Sequence, residues 1–343
     1  MVLCYSSLEL AKPKSAFKML NISVVIPTYN CQQYIAEAVE STLADAMSDR
    51  LLEVIIIDDG STDDTKAVVE GLNHPKLRYI YQQNQGVSAA RNHGIYVAKG
   101  DLVAFLDADD LFFPRKLLKQ QSMFVADSTL GLVQSGWQKV DESGSAISPV
   151  ELWETAPDLS TETWLKFKPV LPSALMVKRE WLLKVDGFDP QLRAAEDVDL
   201  VSRLALQGCR SAWLKEVAVS YRQRSGSAMG DAQVQAQDLS KFLDKLFLRE
   251  DLPDAVRLLE SSVRYNTLVW SAWYLLHTGY KEEMVSQLKR AWQYSPYLPL
   301  ETLVHWVESF SEFSSNQSVP FNTAALCASN EWQQLAKWIL SRR

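Results

Sequence analysis

Two acidic runs have the residue types and spacing to do chemistry: Asp58-Asp59 and Asp107-Ala108-Asp109-Asp110. Each directly follows a short apolar run, so each is expected at the end of a strand. A carboxylate accepts from the imide N–H of a pyrimidine base, and two neighbouring carboxylates hold Mg²⁺ or Mn²⁺. Two such clusters on one rim repel unless a cation or a donor-rich ligand lies between them. Together they suggest a nucleoside diphosphate gripped by its base at one cluster and through its metal at the other. Arg222 and Arg224 precede a run of small residues, Ser225 to Ala228, which suits an anion-contacting mobile loop.

Structural readings stand beside these. Ser61 and Asp64 have the spacing of a capping box, and Asp63 favours a helix start whatever the function. Asp109 or Asp110 could open the helix announced by Pro114. Glu196, Asp197 and Asp199 read as the acidic first turn of a helix, and Arg91 as a surface cation.

The elements that must position these groups alternate. Strand candidates are Ile22–Pro27, Leu52–Ile57, Arg78–Tyr81 and Leu102–Leu106, separated by helical patterns over Gln32–Leu43, Thr62–Leu72 and Val87–Ala98. Such alternation predicts crossover connections and a mostly parallel α/β sheet, and the unbroken apolar strands predict helices on both faces. Ligands of such sheets sit beyond the carboxyl ends of the strands, where the acidic runs fall. Further strand candidates are Gly131–Gln138, Ala174–Val177 and Ala212–Val219. From about Asp231 the pattern is helical, with Leu239, Phe242, Leu243, Leu246 and Phe247 at helix spacing. We therefore expect a leader over 1–20, an α/β domain over 21–230 and a helical C-terminal domain over 231–343.

Composition narrows the classes. The 343 residues are 47% hydrophobic and 22% charged, which fits a folded protein and excludes low-complexity chains. A net charge of −7 argues against a nucleic-acid binder. Four scattered cysteines make neither a zinc framework nor a disulfide scaffold, so a reducing, cytoplasmic setting is expected. No apolar window spans a membrane, and the first twenty residues lack a signal peptide's apolar run; Met19 is a candidate start. Neither a GxxxxGK loop nor a GxGxxG fingerprint follows a strand, which weakens other nucleotide-enzyme readings. All eleven tryptophans lie at or after Trp137. Of these, Trp137, Trp153 and Trp164 are candidates for stacking on a sugar, against the commoner use of Trp in cores; Trp270 and Trp273 share a helix face and read as core or interface.

Seven segments in order resemble the family 2 glycosyltransferases: ISVVIPTYN at 22–30, DDGSTD at 58–63, QGVSAARNHG at 85–94, DADD at 107–110, DGFDP at 186–190, EDVDL at 196–200 and YRQR at 221–224. The resemblance covers about residues 21 to 229 and leaves the tail outside. It implies the GT-A fold, a Rossmann-like mostly parallel sheet flanked by helices. It also implies a nucleotide-diphosphate-sugar donor, with UDP favoured, a divalent Mn²⁺ or Mg²⁺ ion, and inversion at the anomeric carbon.

By motif match, Pro27, Thr28 and Tyr29 line the nucleoside, and Asp59 with Asp58 holds the base. Arg91 approaches the nucleotide, and Asp107 and Ala108 face the ribose. Asp109, with Asp107, ligates the metal through the DXD motif. Asp197 is the general base, supported by Glu196, and Arg222 belongs to the loop over the diphosphate. Arg224 departs from the family pattern, which often has His there. The implied acceptor is a saccharide or a lipid-linked sugar, as in polysaccharide biosynthesis. A peripheral membrane contact and a homodimer through the helical tail are further expectations. The competing reading is a non-catalytic nucleotide- or glycan-binding scaffold that docks through its tail.

Overall fold

The computed structural model describes residues 20–44, 50–224, 231–317 and 319–342. All of the expected leader except Leu20, with Met19 in it, and the run Ser225 to Ala228 lie outside the described residues.

The first half of the chain runs β1 (Ile22–Thr28), α1 (Ile35–Ala44), β2 (Leu51–Asp58), α2 (Thr65–Gly71), β3 (Leu77–Tyr81), α3 (Val87–Val97), β4 (Leu102–Phe105), β5 (Leu111–Phe112) and α4 (Lys116–Ala126). Then follow β6 (Leu130–Val140), β7 (Ala146–Val150), α5 (Thr161–Phe167), β8 (Leu175–Lys178), α6 (Arg179–Lys184), α7 (Glu196–Leu206) and β9 (Arg210–Arg222). The strands form one sheet in the order β3-β2-β1-β4-β8-β6-β9-β5, with β7 on β6. Strands β3, β2, β1 and β4 are mutually parallel, as is the β6–β9 pair, and β8 joins the two groups by antiparallel pairing.

The period-2 geometry of a strand divides its side chains between two cores. In β1, Ile22, Val24 and Ile26 join α1 residues Ile35, Ala38 and Val39 on one face. Val25 joins Ala90 and Ile95 of α3 on the other. Strand β2 divides in the same way, with Val54 and Ile56 on one side and Ile55 and Ile57 on the other. Helices thus cover both faces, as unbroken apolar strands predict.

Several local expectations change. Helix α2 begins at Thr65 after Asp64, which makes no side-chain cap, so the Ser61–Asp64 capping box does not form. Asp63 instead accepts from the Thr65 N–H and the Gln32 N–H, pinning the loop after β1 to the start of α2. Helix α4 starts at Lys116, behind a left-handed Arg115 (φ 69°), rather than at the Asp109–Asp110 turn. Trp137, Trp153 and Trp164 are core residues at 8%, 8% and 0% exposure, so none offers a face for stacking on a sugar.

The tail comprises α8 (Ala232–Phe247), α9 (Asp254–Arg257), α10 (Glu260–His277), α11 (Lys281–Trp292), α12 (Pro299–Asn316), α13 (Thr323–Ala328) and α14 (Asn330–Leu340). One core belongs to the tail alone and centres on Trp306, Phe310 and Trp273. Another joins Leu165, Leu192 and Val198 of the α/β part to Phe242, Leu243, Phe247 and Val263 of the tail. Among the described residues, no helix is long and apolar enough to cross a membrane.

Candidate active site at the carboxyl rim of the sheet

Strands β1, β2 and β4 end side by side. Thr28 is in register with Asp58, and β4 runs on into Asp107. Pro27 is buried within β1, Thr28 is 4% exposed with its hydroxyl beside the Cys31 thiol, and Tyr29 stands 50% exposed at the rim. Asp58 accepts from the Ser61 N–H at 2.7 Å and from the Tyr79 hydroxyl at 2.5 Å, so it faces into the protein. Asp59 accepts from Gln82 Nε2 at 2.7 Å, the Gln85 N–H at 3.0 Å and the Gly86 N–H at 2.7 Å. Asp59 therefore shapes the loop that opens α3, while Asp58 ties the turn after β2 to Tyr79 of β3. His93 meets the other end of Gln82, at 2.8 Å from its Oε1.

The second acidic run makes a tight turn, the Asp110 N–H donating to the Asp107 carbonyl. Ala108 is buried within it. Asp110 is 1% exposed, and its carboxylate accepts from the Ser173 hydroxyl at 2.6 Å and the Arg222 N–H at 3.0 Å. Burial and the charges of Asp107 and Asp109 push its carboxyl well above the usual range. Burial, then Asp107, also raises Asp109, and Arg224 offsets part of this through a 2.6 Å bond from its Nε.

Arg222, expected over a diphosphate, is 6% exposed and spends its donors on the protein. Nε donates to the Asp109 carbonyl, Nη1 to the Glu142 carbonyl and Nη2 to Glu37, with the guanidinium over the Tyr34 ring. It holds the acidic turn in place. Arg224, at the edge of the same ring, is the more exposed cation of the two, at 28%.

The third acidic run joins this rim through Arg91. Arg91 is 3% exposed, so it is no surface cation. Its Nη2 donates to Asp107 at 2.7 Å and its Nη1 to Glu196 at 2.8 Å, and it lies over the Phe188 ring. Burial alone would weaken its charge, but the two carboxylates reinforce it. Beside it, Asn92 donates to the Phe188 carbonyl and accepts from the Phe188 N–H, fixing the turn that leads towards α7.

Glu196 and Asp197 open α7, so the expected acidic first turn is present and sits at the rim. Burial raises the Glu196 carboxyl although Arg91 opposes it. Burial and the Glu196 charge push Asp197 up to about 7. Asp199 pairs with Arg203 and supports the helix. Ser173, Tyr79 and Gln82 are site-shaping residues that the sequence alone does not single out, while Asp110, visible as part of the acidic run, proves to be its buried anchor.

Could this rim hold a divalent ion? Asp107 and Asp109 offer hard carboxylate oxygens, and each uses one oxygen for an arginine. Burial first, and then the crowding of acids around Asp107, raises the Asp109 and Asp110 carboxyls, a cost that a bound cation would relieve. Among the described residues, no three His, Cys, Asp or Glu side chains converge as a closed metal cage. One or two carboxylates completed by a ligand's phosphates is how Mg²⁺ is usually held, so the residues fit the ion.

This sheet, with its acidic turn beyond β4, is a GT-A fold. The same architecture is seen in S. aureus TarS 1–349 in complex with UDP-GlcNAc, with TM-score 0.64 and 21% identity over 88% of this chain and 93% of that one. It is also seen in the mannosyltransferase PcManGT from Pyrobaculum calidifontis in complex with GDP-Man and Mn²⁺, with TM-score 0.59 and 19% identity over 94% and 85%. Residues 23–172 match the model of glycosyl transferase family 2, and this part of the chain is a domain of that family. The chain is 33% identical over 189 residues to the chondroitin synthase of Escherichia coli, covering 54% of this chain and 27% of that protein. It spans about half the length, or less, of the curated relatives it matches.

Proposed function

We propose that the chain is an inverting glycosyltransferase that moves a sugar from a nucleotide-diphosphate-sugar, a UDP-sugar by preference, to an acceptor hydroxyl. The observation that carries this reading is the buried Asp107–Arg91–Glu196 bridge, which ties the metal-type carboxylates to the base-type pair on one rim. Pro27, Thr28 and Tyr29 line the nucleoside, and Asp59 with its loop sets the base pocket. Asp58 braces that pocket from behind. Asp107 and Asp109 hold Mn²⁺ or Mg²⁺, which when bound offsets charge on the leaving diphosphate.

Asp197 takes the proton of the attacking hydroxyl. A carboxylate poised near neutrality suits this work, since a base's optimal pKa lies near the working pH. Glu196, locked to Arg91, orients the first turn of α7 and holds the charge that raises Asp197. Arg222 fixes the acidic turn, which leaves Arg224 as the nearby cation for the diphosphate. The UDP-GlcNAc bound by TarS and the GDP-Man and Mn²⁺ bound by PcManGT support a nucleotide-sugar donor and a divalent metal. The chondroitin synthase relative supports a saccharide acceptor.

The test is release of UDP from a panel of UDP-sugars in the presence of oligosaccharide acceptors, with NMR of the product's anomeric carbon. Inverted product is expected, and Asp197→Asn should lower turnover by about 10²–10⁴-fold while UDP affinity stays within a few-fold. Retained configuration, or wild-type turnover in Asp197→Asn, would overturn the assignment.

A further inference from the structure

A second concave site lies in the tail, where the last turns of α11 and α14 meet. It is an open cleft of about 500 Å³ lined by Ser286, Lys289, Arg290, Trp292, Gln293, Trp338 and Arg342. No carboxylate lines it, although the chain carries a net charge of −7. Among the described residues, Lys289, Arg290 and Arg342 make no ion pair with an acidic side chain.

Its cations are held in place without being neutralised. Arg342 stacks over the Trp338 ring at 3.9 Å, and Lys289 stands 5.4 Å from the same ring. Arg290 donates to the Ser240 hydroxyl of α8 at 2.9 Å and reaches Gln287. Cation–π contacts fix a charge in position yet leave its outer N–H groups to donate. Cations near helix ends also complement the helix dipole. That effect explains neither the two tryptophans, nor the absence of acids, nor the concavity.

We propose that this cleft binds an anionic saccharide segment, a sugar chain bearing carboxylate, sulfate or phosphate groups, apart from the donor site. The volume lies in the range of small-ligand pockets. Three cations match one or two anionic groups, the Ser286 hydroxyl and the Gln293 amide suit sugar hydroxyls, and the indole of Trp292 supplies an apolar wall. A bilayer is flat and does not enter a recess, whereas a chain segment does. The choice of a saccharide rests on the proposed transferase activity, for which such a cleft would hold the acceptor chain away from the reacting end. The cleft's chemistry does not depend on that activity.

The experiment uses the full chain and a fluorescently labelled acidic hexasaccharide, from chondroitin sulfate, in anisotropy titrations. Controls are a neutral maltohexaose, inorganic phosphate, and phosphatidylglycerol vesicles. Salt-sensitive binding of the acidic hexasaccharide is expected, weakened at least tenfold in a Lys289→Ala, Arg342→Ala double variant. Both residues are exposed, so the fold should hold. The stabilisation by UDP should be unchanged in that variant, which separates failure here from failure of the donor assignment. Equal binding of the neutral sugar, undiminished binding by the variant, or binding of vesicles or phosphate alone would overturn the proposal.

Discussion

At the scale of single residues, the site is a chain of carboxylates kept apart by arginines. Arg91 touches both Asp107 and Glu196 from a buried position, so its removal leaves two acids without their counter-charge. Breaking a buried pair from one side costs about 3–5 kcal/mol. We expect Arg91→Ala to lose stability on that scale in urea unfolding and to lose transfer entirely. Asp197 carries a pH signature. Its folded carboxyl is raised to about 7 by burial and by Glu196, above its unfolded value. Its contribution to stability is therefore present below the unfolded value and is lost as pH rises through about 7. Transfer, which in the proposed mechanism needs Asp197 ionised, should rise over that same interval. Melting temperatures of Asp197→Asn against wild type should show the variant gaining as pH goes from 5 to 8; a constant difference would contradict the raised carboxyl. The acids of the first two runs are legible because apolar runs precede them, whereas Glu196 and Asp197 stand out only through the family resemblance. The partners of the first two runs are not legible, since Ser173, Arg222 and Tyr79 reach Asp110 and Asp58 from elements far away in sequence.

At the scale of elements, β1, β2 and β4 are readable from their apolar runs: the structure extends β1 by one residue and β2 by one at each end, and ends β4 one residue short of its run, at Phe105. The two-residue β5 and the exposed, proline-containing β7 are too short or too irregular to read, and they exist because β9 and β6 offer edges to pair with. Strand β9 is longer than its apolar run because its last residues pair with β6 and deliver Arg222 to the acidic turn. Helix α3 lies tightly on β1: a Cβ on Gly94 would collide with the Val25 side chain. Because α3 also carries Arg91 and Asn92, lifting it displaces the bridge. Gly94→Ala should cost roughly 1–3 kcal/mol as an overpacked contact. It should lower kcat more than it weakens UDP binding, checked by steady-state kinetics beside calorimetry; unchanged kcat would show that the bridge tolerates movement of α3.

At the scale of the whole molecule, the tail participates in the site. Asp238 of α8 is 2% exposed and accepts from the Arg193 and Ala194 N–H groups, just before Glu196. The shared core places Val198 of α7 against Phe242 and its neighbours. The sequence marks the tail as helical through its apolar spacing, but not that one of its acids holds the loop before Glu196 and Asp197. Asp238→Ala should cost about 1 kcal/mol by removing the acceptor of the Arg193 and Ala194 N–H groups, and should reduce kcat with little change in UDP affinity. Asp238→Asn, which keeps an acceptor oxygen, should restore most of both, and failure to do so would assign the effect to charge rather than to the hydrogen bonds.

The most direct test of the donor site is a thermal-shift titration of the full chain with UDP, dTDP, GDP and CDP, each with Mn²⁺ and with EDTA. A ligand that binds only the folded state raises its melting temperature by mass action. UDP is expected to stabilise the chain only when Mn²⁺ is present, and the shift should disappear in Asp109→Asn. No shift with any nucleotide at millimolar concentration, or a UDP shift indifferent to both metal and Asp109, would contradict it.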